Sequence, residues 1–202
     1  MQNSALPGEL GFAVLDLETT GKDPVEDRIT EFAMICVDPE LRELFRVTSP
    51  VATDEYGLAR IASAPVVDTM TRDSGLLADL TSGVTWPDVV TLDSYVTQLL
   101  ARAAFGRGEG AWVIAGSGVG AHDVPFIRRH MPGLAESAVY YPHDIGIMRR
   151  EYRRVAGSDL VEANKNKTHR AMDDAECHLE EIRAFRRAFR AAFGDESAGV
   201  AA

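Results

Sequence analysis

The stretch Gly11-Phe-Ala-Val-Leu-Asp-Leu-Glu-Thr-Thr-Gly21 decides the fold. Residues 11–17 form a short apolar run, which predicts a strand buried in the interior. Asp16 and Glu18 close this run, and residues two apart on a strand point to the same side. Like charges placed together repel, and a hard divalent cation such as Mg²⁺ or Mn²⁺ would relieve that repulsion. The stretch therefore predicts a strand ending in a metal site, with a solvated strand end as the alternative.

The hydrophobic pattern outward from this stretch changes from consecutive strands to strands that alternate with helices. That order predicts an α/β fold, with a mixed five-stranded sheet flanked by helices. The predicted strands are residues 11–17, 28–37, 41–47, 111–115 and 138–141, and the predicted helices are 54–62, 66–80 with a break near residue 75, 86–104, 122–130, 145–155 and 172–193. We expect residues 1–10 to be a flexible lead-in, 11–193 a single domain and 194–202 a flexible tail.

The composition indicates an intracellular globular protein. A chain of 202 residues with 46% hydrophobic residues can bury a core without disulfide support. Cys36 and Cys177 are far apart and form no CxxC pair, which favours a reducing compartment. With no secretory signal and no apolar run long enough for a membrane helix, we expect a cytoplasmic location and no membrane partner. The net charge of −10 excludes a protein that binds long duplexes by bulk electrostatics.

Three further residues could complete the acidic site. Asp123 follows a glycine-rich turn, residues 116–120, where an acid could instead complement a helix dipole. His169 and Asp174 are five residues apart, and five residues of helix rotate by about 500°. The two side chains can therefore converge only if His169 precedes the helix. Asp174 would then bind metal and His169 would take a proton from water; an ordinary surface histidine is the alternative.

Four carboxylates and one histidine are the side chains that a two-metal phosphodiester hydrolase requires. In such an enzyme one ion activates water and the other stabilises the leaving oxygen. The acids would supply the negative charge that holds both ions, and the histidine would act as the base. The set consists of Asp16, Glu18, Asp123, Asp174 and His169.

With these residues identified, the chain resembles the DEDDh 3′–5′ exonucleases, which have an RNase H-like fold. Residues 12–21 are similar to the first motif of that group, His122-Asp-Val-Pro-Phe-Ile127 to the second, and His169-Arg-Ala-Met-Asp-Asp174 to the third. Their order and spacing agree over residues 11–190. Within the group, the chain is most similar to oligoribonuclease, which trims very short RNA to mononucleotides. The stretches that carry this likeness are residues 23–29, 123–126, 131–134, 140–144, 165 and 168–174.

The resemblance implies a site, a cofactor and an assembly. It implies that the four acids are metal ligands for two Mg²⁺ or Mn²⁺ ions, that His169 is the general base, and that the protein is a homodimer. It also implies that Thr19 meets the terminal sugar through its backbone. The residues expected beside the substrate are Leu17, Thr19, Lys22, Ser117 and Lys165.

The chain departs from the oligoribonuclease pattern at the substrate pocket. Lys22 stands where those enzymes have an apolar residue that wedges against a base. Residues 66–76 lack their tryptophan, with Met70 near its place, and residues 116–120 replace the Gly-Asn-Ser turn that caps the terminal phosphate. Stacking on an aromatic ring is worth about 1–3 kcal/mol per base, so its loss could change the preferred length or the choice between RNA and DNA.

The sequence thus predicts a metal-dependent 3′–5′ exoribonuclease that hydrolyses short single-stranded oligonucleotides to nucleoside 5′-monophosphates. A DNA 3′–5′ exonuclease of the proofreading or repair type, with the same chemistry, is the first alternative. The second is an inactive nucleic-acid-binding scaffold, against which the presence of all five site residues argues.

Overall fold

The computed structural model describes residues 6–162 and 168–193. Five strands form one sheet in the order β3-β2-β1-β4-β5. The strands are β1 (Glu9–Thr19), β2 (Ile29–Val37), β3 (Glu43–Pro50), β4 (Ala111–Gly116) and β5 (His143–Asp144). The helices are α1 (Glu55–Ser63), α2 (Pro65–Asp73), α3 (Leu76–Leu80), α4 (Val89–Ala104), α5 (Asp123–His130), α6 (Pro132–Glu136), α7 (Ile145–Ala156) and α8 (Ala171–Phe193).

The sheet is mixed and has β1 at its centre. β1 pairs antiparallel with β2 and parallel with β4, and the outer pairs are antiparallel for β2–β3 and parallel for β4–β5. This confirms the predicted mixed five-stranded sheet with flanking helices. β1 begins at Glu9, which pairs with Ala111, so the first strand starts two residues before the predicted position. The division into lead-in, domain and tail stays a prediction, because residues 1–5 and 194–202 lie outside the described part.

Both faces of the sheet are buried, and successive residues of β1 alternate between two hydrophobic layers. Leu15 and Leu17 pack in the layer that contains buried residues of α4, α5 and α6. Val14 packs in the opposite layer, together with the apolar stripe of α8. Because side chains alternate along a strand, Asp16 and Glu18 lie on the same face as Val14, the face that α8 covers.

The predicted fifth strand, residues 138–141, is wrong. Ala138 forms only an isolated bridge with Trp112, and regular pairing to β4 resumes at His143, opposite Ala115. Five residues of this segment therefore span the distance that three residues of β4 span. Pro142 interrupts the pairing because proline has no N–H to donate to a neighbouring strand.

The break predicted near residue 75 is confirmed. The predicted helix at 66–80 is two helices, α2 and α3, separated at Gly75, whose φ of +78° is left-handed. Pro132 begins α6, where the absence of an N–H costs nothing. Within residues 6–162 and 168–193, none of the helices is both long and apolar enough to cross a membrane.

The loop that follows β1 is held by one buried carboxylate, Asp27. It accepts hydrogen bonds from the Thr20 hydroxyl at 3.0 Å, from the Asp23 backbone N–H at 2.9 Å and from both Nε and Nη2 of Arg60. Burial alone would raise the pKa of Asp27, but these donors outweigh it and the pKa lies below its usual value. A Cβ at Gly21 would come within 2.3 Å of this carboxylate, so the loop requires glycine there. The loop is therefore fixed at the edge of the acidic site.

Candidate active site

The end of β1 carries the first two acids of the site. Asp16 and Glu18 are half-buried on the face that α8 covers. The pairing of β1 with β2 shifts register between Glu18 and Thr19, so the strand is irregular immediately after the second acid. Irregularities of this kind re-aim side chains and are common beside active sites. Directly opposite Glu18, on β2, lies Glu31.

Asp123, the third acid of the predicted site, contacts β1 from the start of α5. It is the first residue of α5 and is only 5% exposed, and its Oδ1 accepts a hydrogen bond from the backbone N–H of Leu17 at 3.1 Å. Burial raises the pKa of the Asp123 carboxyl to about 7, despite the backbone N–H groups that favour its charged form. A carboxylate in this position gains from a cation placed nearby.

His169 and Asp174 approach from the amino end of α8. The helix begins at Ala171, so His169 lies before it, as the spacing requires, and has the left-handed φ of +53°. Asp174 lies in the first turn of α8 and is buried. One ligand atom from each of Glu18, His169 and Asp174 lies within 4.8 Å of the other two. Side chains about 150 residues apart in sequence thus form one cluster suited to a metal ion.

A cavity of about 590 Å³ opens beside this cluster. Asp16, Ser117 and Asp174 line it, so the remaining acid of β1 and the glycine-rich turn after β4 face the same space as α8. The donor set contains a single imidazole and is otherwise made of carboxylate oxygen, the ligand that hard divalent cations prefer. The residues present therefore fit a divalent metal site.

The residues expected beside the substrate are placed differently from one another. Thr19 donates its hydroxyl to the carbonyl of Gly21 at 2.6 Å, and its backbone pairs with Ile29 of β2. Lys22 is exposed and Ser117 lines the cavity, but the Leu17 side chain is in the core and its N–H is bonded to Asp123. Lys165 lies outside the described residues.

Sequence reasoning missed several residues that support the site. Glu31 is buried and bonded to Arg170, beside His169, and its signal was an acid inside an otherwise mostly apolar strand segment. Arg149 lines the cavity, and its Nε atom donates a hydrogen bond to Glu181 at 2.7 Å. No spacing rule in the sequence connects Arg149 to Glu181, which lie on different helices.

No family model matches the chain, but individual proteins do. The oligoribonuclease of Actinobacillus pleuropneumoniae is 31% identical over 179 residues, which cover 87% of this chain and 91% of that protein. The oligoribonuclease of Sodalis glossinidius is 30% identical, and the match covers 87% of this chain and 93% of that protein.

Solved structures share the fold at lower identity. Exonuclease I of Methylocaldum szegediense matches 86% of this chain with a TM-score of 0.60 and 18% identity. E. coli exonuclease I in complex with a dT13 oligonucleotide matches 91% of it with a TM-score of 0.60 and 15% identity. The chain spans about two fifths of these exonuclease I chains, 39% and 42% respectively.

The solved structures give the fold, which is RNase H-like. Together with the oligoribonuclease relatives, this fold places the chain in the class of the 3′–5′ exonucleases, which are phosphodiester hydrolases. The two oligoribonucleases are about 30% identical to the chain over nearly their whole length, and they identify the family within this class. The chain belongs to the oligoribonuclease family. The resemblance predicted from the three motifs is thereby confirmed.

The raised pKa of Asp123 gives a prediction for the metal-free protein. The folded state holds a proton up to about pH 7 that the unfolded chain releases near pH 4. In EDTA, the contribution of Asp123 to the free energy of unfolding should therefore fall by on the order of 4 kcal/mol as the pH rises across this window, and stay level above it. Asp123→Asn removes the charge but keeps an oxygen for the Leu17 N–H. We expect its thermal midpoint to exceed the wild-type value by several degrees at pH 8 and to equal it at pH 4.

Asp27→Asn is the matched control for this measurement. The pKa of Asp27 is lowered, so its charge stabilises the fold above pH 4 and this contribution is lost as the pH falls through the lowered value. Asp27→Asn should therefore lower the midpoint at pH 8. Identical midpoints for Asp123→Asn and wild type at pH 8 would show that burial does not penalise the charged form of Asp123.

Proposed function

We propose that the protein is a metal-dependent 3′–5′ exoribonuclease that hydrolyses short single-stranded oligonucleotides to nucleoside 5′-monophosphates. The observation that carries this proposal is the convergence of Glu18, His169 and Asp174 within 4.8 Å beside a cavity lined by Asp16. A carboxylate cluster with one imidazole at a cavity wall is the arrangement that metal-assisted hydrolysis of a phosphodiester needs.

Four carboxylates would hold the metal. Asp16, Glu18, Asp123 and Asp174 offer oxygen donors, which favour Mg²⁺ or Mn²⁺, and their number suits two ions per site. Two such ions, when bound, supply charge stabilisation for the attacking and leaving oxygens. The buried position of Asp123 and Asp174 keeps bulk water from competing for these carboxylates.

His169 would act as the general base. As the oxygen of a water molecule bonds to the phosphorus next to the terminal nucleotide, the imidazole accepts the proton that this water loses. The bond from phosphorus to the 3′ oxygen of the penultimate nucleotide breaks, and that oxygen keeps the electron pair and takes up a proton. The products are a nucleoside 5′-monophosphate and a chain shorter by one nucleotide with a 3′ hydroxyl.

Several features support short RNA as the substrate and a homodimer as the assembly. The related proteins are named oligoribonucleases, and the net charge of −10 is unfavourable for binding long nucleic-acid backbones.

Tyr140 is 84% exposed and its ring contacts that of Tyr141 edge to face, which makes this tyrosine pair available to pack against a second copy of the chain or against a base. Cys36 and Cys177 are far apart in the sequence and form no CxxC pair, which supports a cytoplasmic location.

A DNA 3′–5′ exonuclease is the second candidate. The observation that favours it is the altered pocket, in which Lys22 is exposed and α2 contains no aromatic residue. Without an apolar wedge and a stacking ring, the site has fewer means to select a dinucleotide or to select RNA.

A single time course separates these functions. Purified protein is incubated with 5′-labelled RNA and DNA, from dinucleotides to long single strands, in Mn²⁺, in Mg²⁺ or in EDTA. We expect metal-dependent loss of nucleotides from the 3′ end, fastest on the shortest RNA. Equal or faster loss from DNA would favour the second candidate, and no cleavage in either metal would favour the inactive scaffold.

Lys22→Leu tests the altered pocket. A leucine there would restore an apolar contact to a base, and a contact worth about 1 kcal/mol lowers KM for an RNA dinucleotide about 5-fold. We expect kcat to stay unchanged, because the contact is present in both the bound substrate and the transition state. Lys22→Gln removes the charge without adding apolar surface and is the control. An equal fall in KM for both variants would assign the effect to charge instead.

A further inference from the structure

Glu31 is a buried acid in the middle of the sheet. All nine residues of β2 are buried, and the Glu31 side chain is only 2% exposed. It lies directly opposite Glu18 in the antiparallel pairing of β1 with β2, so both side chains are on the face that α8 covers. Burying a carboxylate is costly unless it is paired and hydrogen-bonded. The hydrogen-bond donors that face the Glu31 carboxylate therefore indicate its role.

Three donors satisfy this carboxylate, and all belong to the two residues that follow His169. The Oε1 atom of Glu31 accepts from Nε and Nη2 of Arg170, at 2.9 and 2.7 Å. The Oε2 atom accepts from the backbone N–H of Ala171 at 2.9 Å. Ala171 is the first residue of α8, and the first N–H groups of a helix have no acceptor within it. Glu31, on β2, thus caps the amino end of α8.

Arg170 is fixed on its other side as well. Its Nη1 atom lies 2.9 Å from Oδ2 of Asp79, on α3. A planar guanidinium bonded at three nitrogens by two carboxylates has little freedom to rotate. The backbone of Arg170 is held accordingly, and its carbonyl accepts the N–H of Asp174 at 3.1 Å.

His169 adopts a conformation that needs such support. Its φ of +53° lies in the left-handed region, which costs a residue with a side chain roughly 1–2 kcal/mol. Such conformations persist where the surrounding structure holds them, and they cluster at functional sites. Arg170 and Ala171 are the next two residues of the chain, and their hydrogen bonds to Glu31 fix the backbone on the C-terminal side of His169.

We propose that Glu31 and Arg170 form a clamp that positions His169 and Asp174 for hydrolysis without contacting the substrate. The clamp, meaning the contacts of Glu31 with Arg170 and with the Ala171 N–H, sets the start of α8 relative to β1. It thereby holds the His169 imidazole, just before the helix, and the Asp174 carboxylate, in its first turn, close to the carboxylate of Glu18. This inference rests on the proposed function, in which His169 is the base and Asp174 a metal ligand.

Glu31→Gln and Arg170→Lys test the clamp. A glutamine amide has one acceptor oxygen, so its NH₂ group would face either the guanidinium or the Ala171 N–H. Lysine keeps the charge but cannot donate two parallel hydrogen bonds. Supporting residues of this kind change activity by about 10- to 100-fold. We expect kcat on RNA dinucleotides to fall within this range for both variants, KM to stay within about 2-fold, and the Ala171 amide to exchange its hydrogen faster.

Asp38→Asn is the matched control. Asp38 is also buried, is also bonded by Nε and Nη2 of an arginine, Arg42, and also accepts backbone N–H groups. It lies seven residues further along, about 23 Å away at the rise of an extended strand. We expect this variant to lose thermal stability and to keep the wild-type kcat.

The clamp is overturned if kcat of Glu31→Gln stays within about 2-fold of wild type, or if Asp38→Asn loses as much kcat as Glu31→Gln does. An unchanged exchange rate of the Ala171 amide in Glu31→Gln also overturns it. If Glu31→Gln fails to fold, the kcat and amide exchange of Arg170→Lys decide. Absence of hydrolysis by the wild-type protein would instead contradict the proposed function, and the amide exchange would still test whether Glu31 holds the start of α8.

Discussion

Replacing Asp174 with asparagine is expected to lower the rate of oligonucleotide hydrolysis at least about 10³-fold, because a bound metal supplies several kcal/mol of charge stabilisation and each 1.4 kcal/mol is a factor of ten. Asp174 is buried in the first turn of α8, with a carboxylate oxygen within 4.8 Å of a donor atom of Glu18 and of His169. Asparagine has almost the same shape but no charge, so the fold should persist. The measurement is the initial rate on an RNA dinucleotide in saturating Mn²⁺.

The adjacent acid provides the control. Asp173 is exposed and accepts a hydrogen bond from the Thr168 hydroxyl at 2.5 Å, and it is not part of the metal cluster. Asp173→Asn should therefore keep the rate within a few-fold of wild type. If Asp174→Asn retained wild-type activity, or if Asp173→Asn lost as much, the assignment of Asp174 as a metal ligand would be wrong.

Replacing His169 with alanine is expected to reduce kcat by about 10²- to 10⁴-fold, the usual contribution of a general base. The imidazole lies beside the carboxylates of Glu18 and Asp174, where it can reach a water molecule in the same cluster. The substrate should bind as before, so KM should change little. Single-turnover rates on labelled RNA measure this effect without interference from product release.

A Mn²⁺ titration distinguishes a base from a metal ligand, because the position of His169 would permit either role. A ligand that binds only the folded state raises the midpoint of thermal unfolding, and at a fixed concentration the rise is larger for a tighter ligand. We expect Mn²⁺ to stabilise His169→Ala as it stabilises wild type, and to stabilise Asp174→Asn much less. Loss of the Mn²⁺ effect in His169→Ala would make His169 a ligand, and an unchanged rate would remove it from the mechanism.

The predicted site residues are spread over the chain, and each was proposed from local features of the sequence. Asp16 and Glu18 follow a run of apolar residues, and the alternation of a strand puts them on one side whatever the rest of the chain does. The H-x4-D spacing of His169 and Asp174 was more demanding, because it required the helix to start between the two. The structure begins α8 at Ala171.

The fifth strand lies at residues 143–144 rather than at the predicted 138–141. Residues 138–141 have the apolar and aromatic side chains of a strand, but Pro142 has no N–H for the ladder, so pairing to β4 resumes only at His143. Tyr140 is consequently exposed, although an aromatic residue next to a strand is more often part of the core. The apolar pattern alone therefore misplaced the strand, and Pro142 is the residue that marks the interruption of pairing.

The sequence by itself determined the class of fold and named the candidate site residues, because hydrophobic period and side-chain type are local properties of the chain. The tertiary structure decided how these residues meet. It joins Asp123 to the Leu17 N–H across 106 residues, and Glu31 to the start of α8 across 140. Such contacts depend on strand order, register and helix start, which are set by the packing of the whole domain rather than by any one segment.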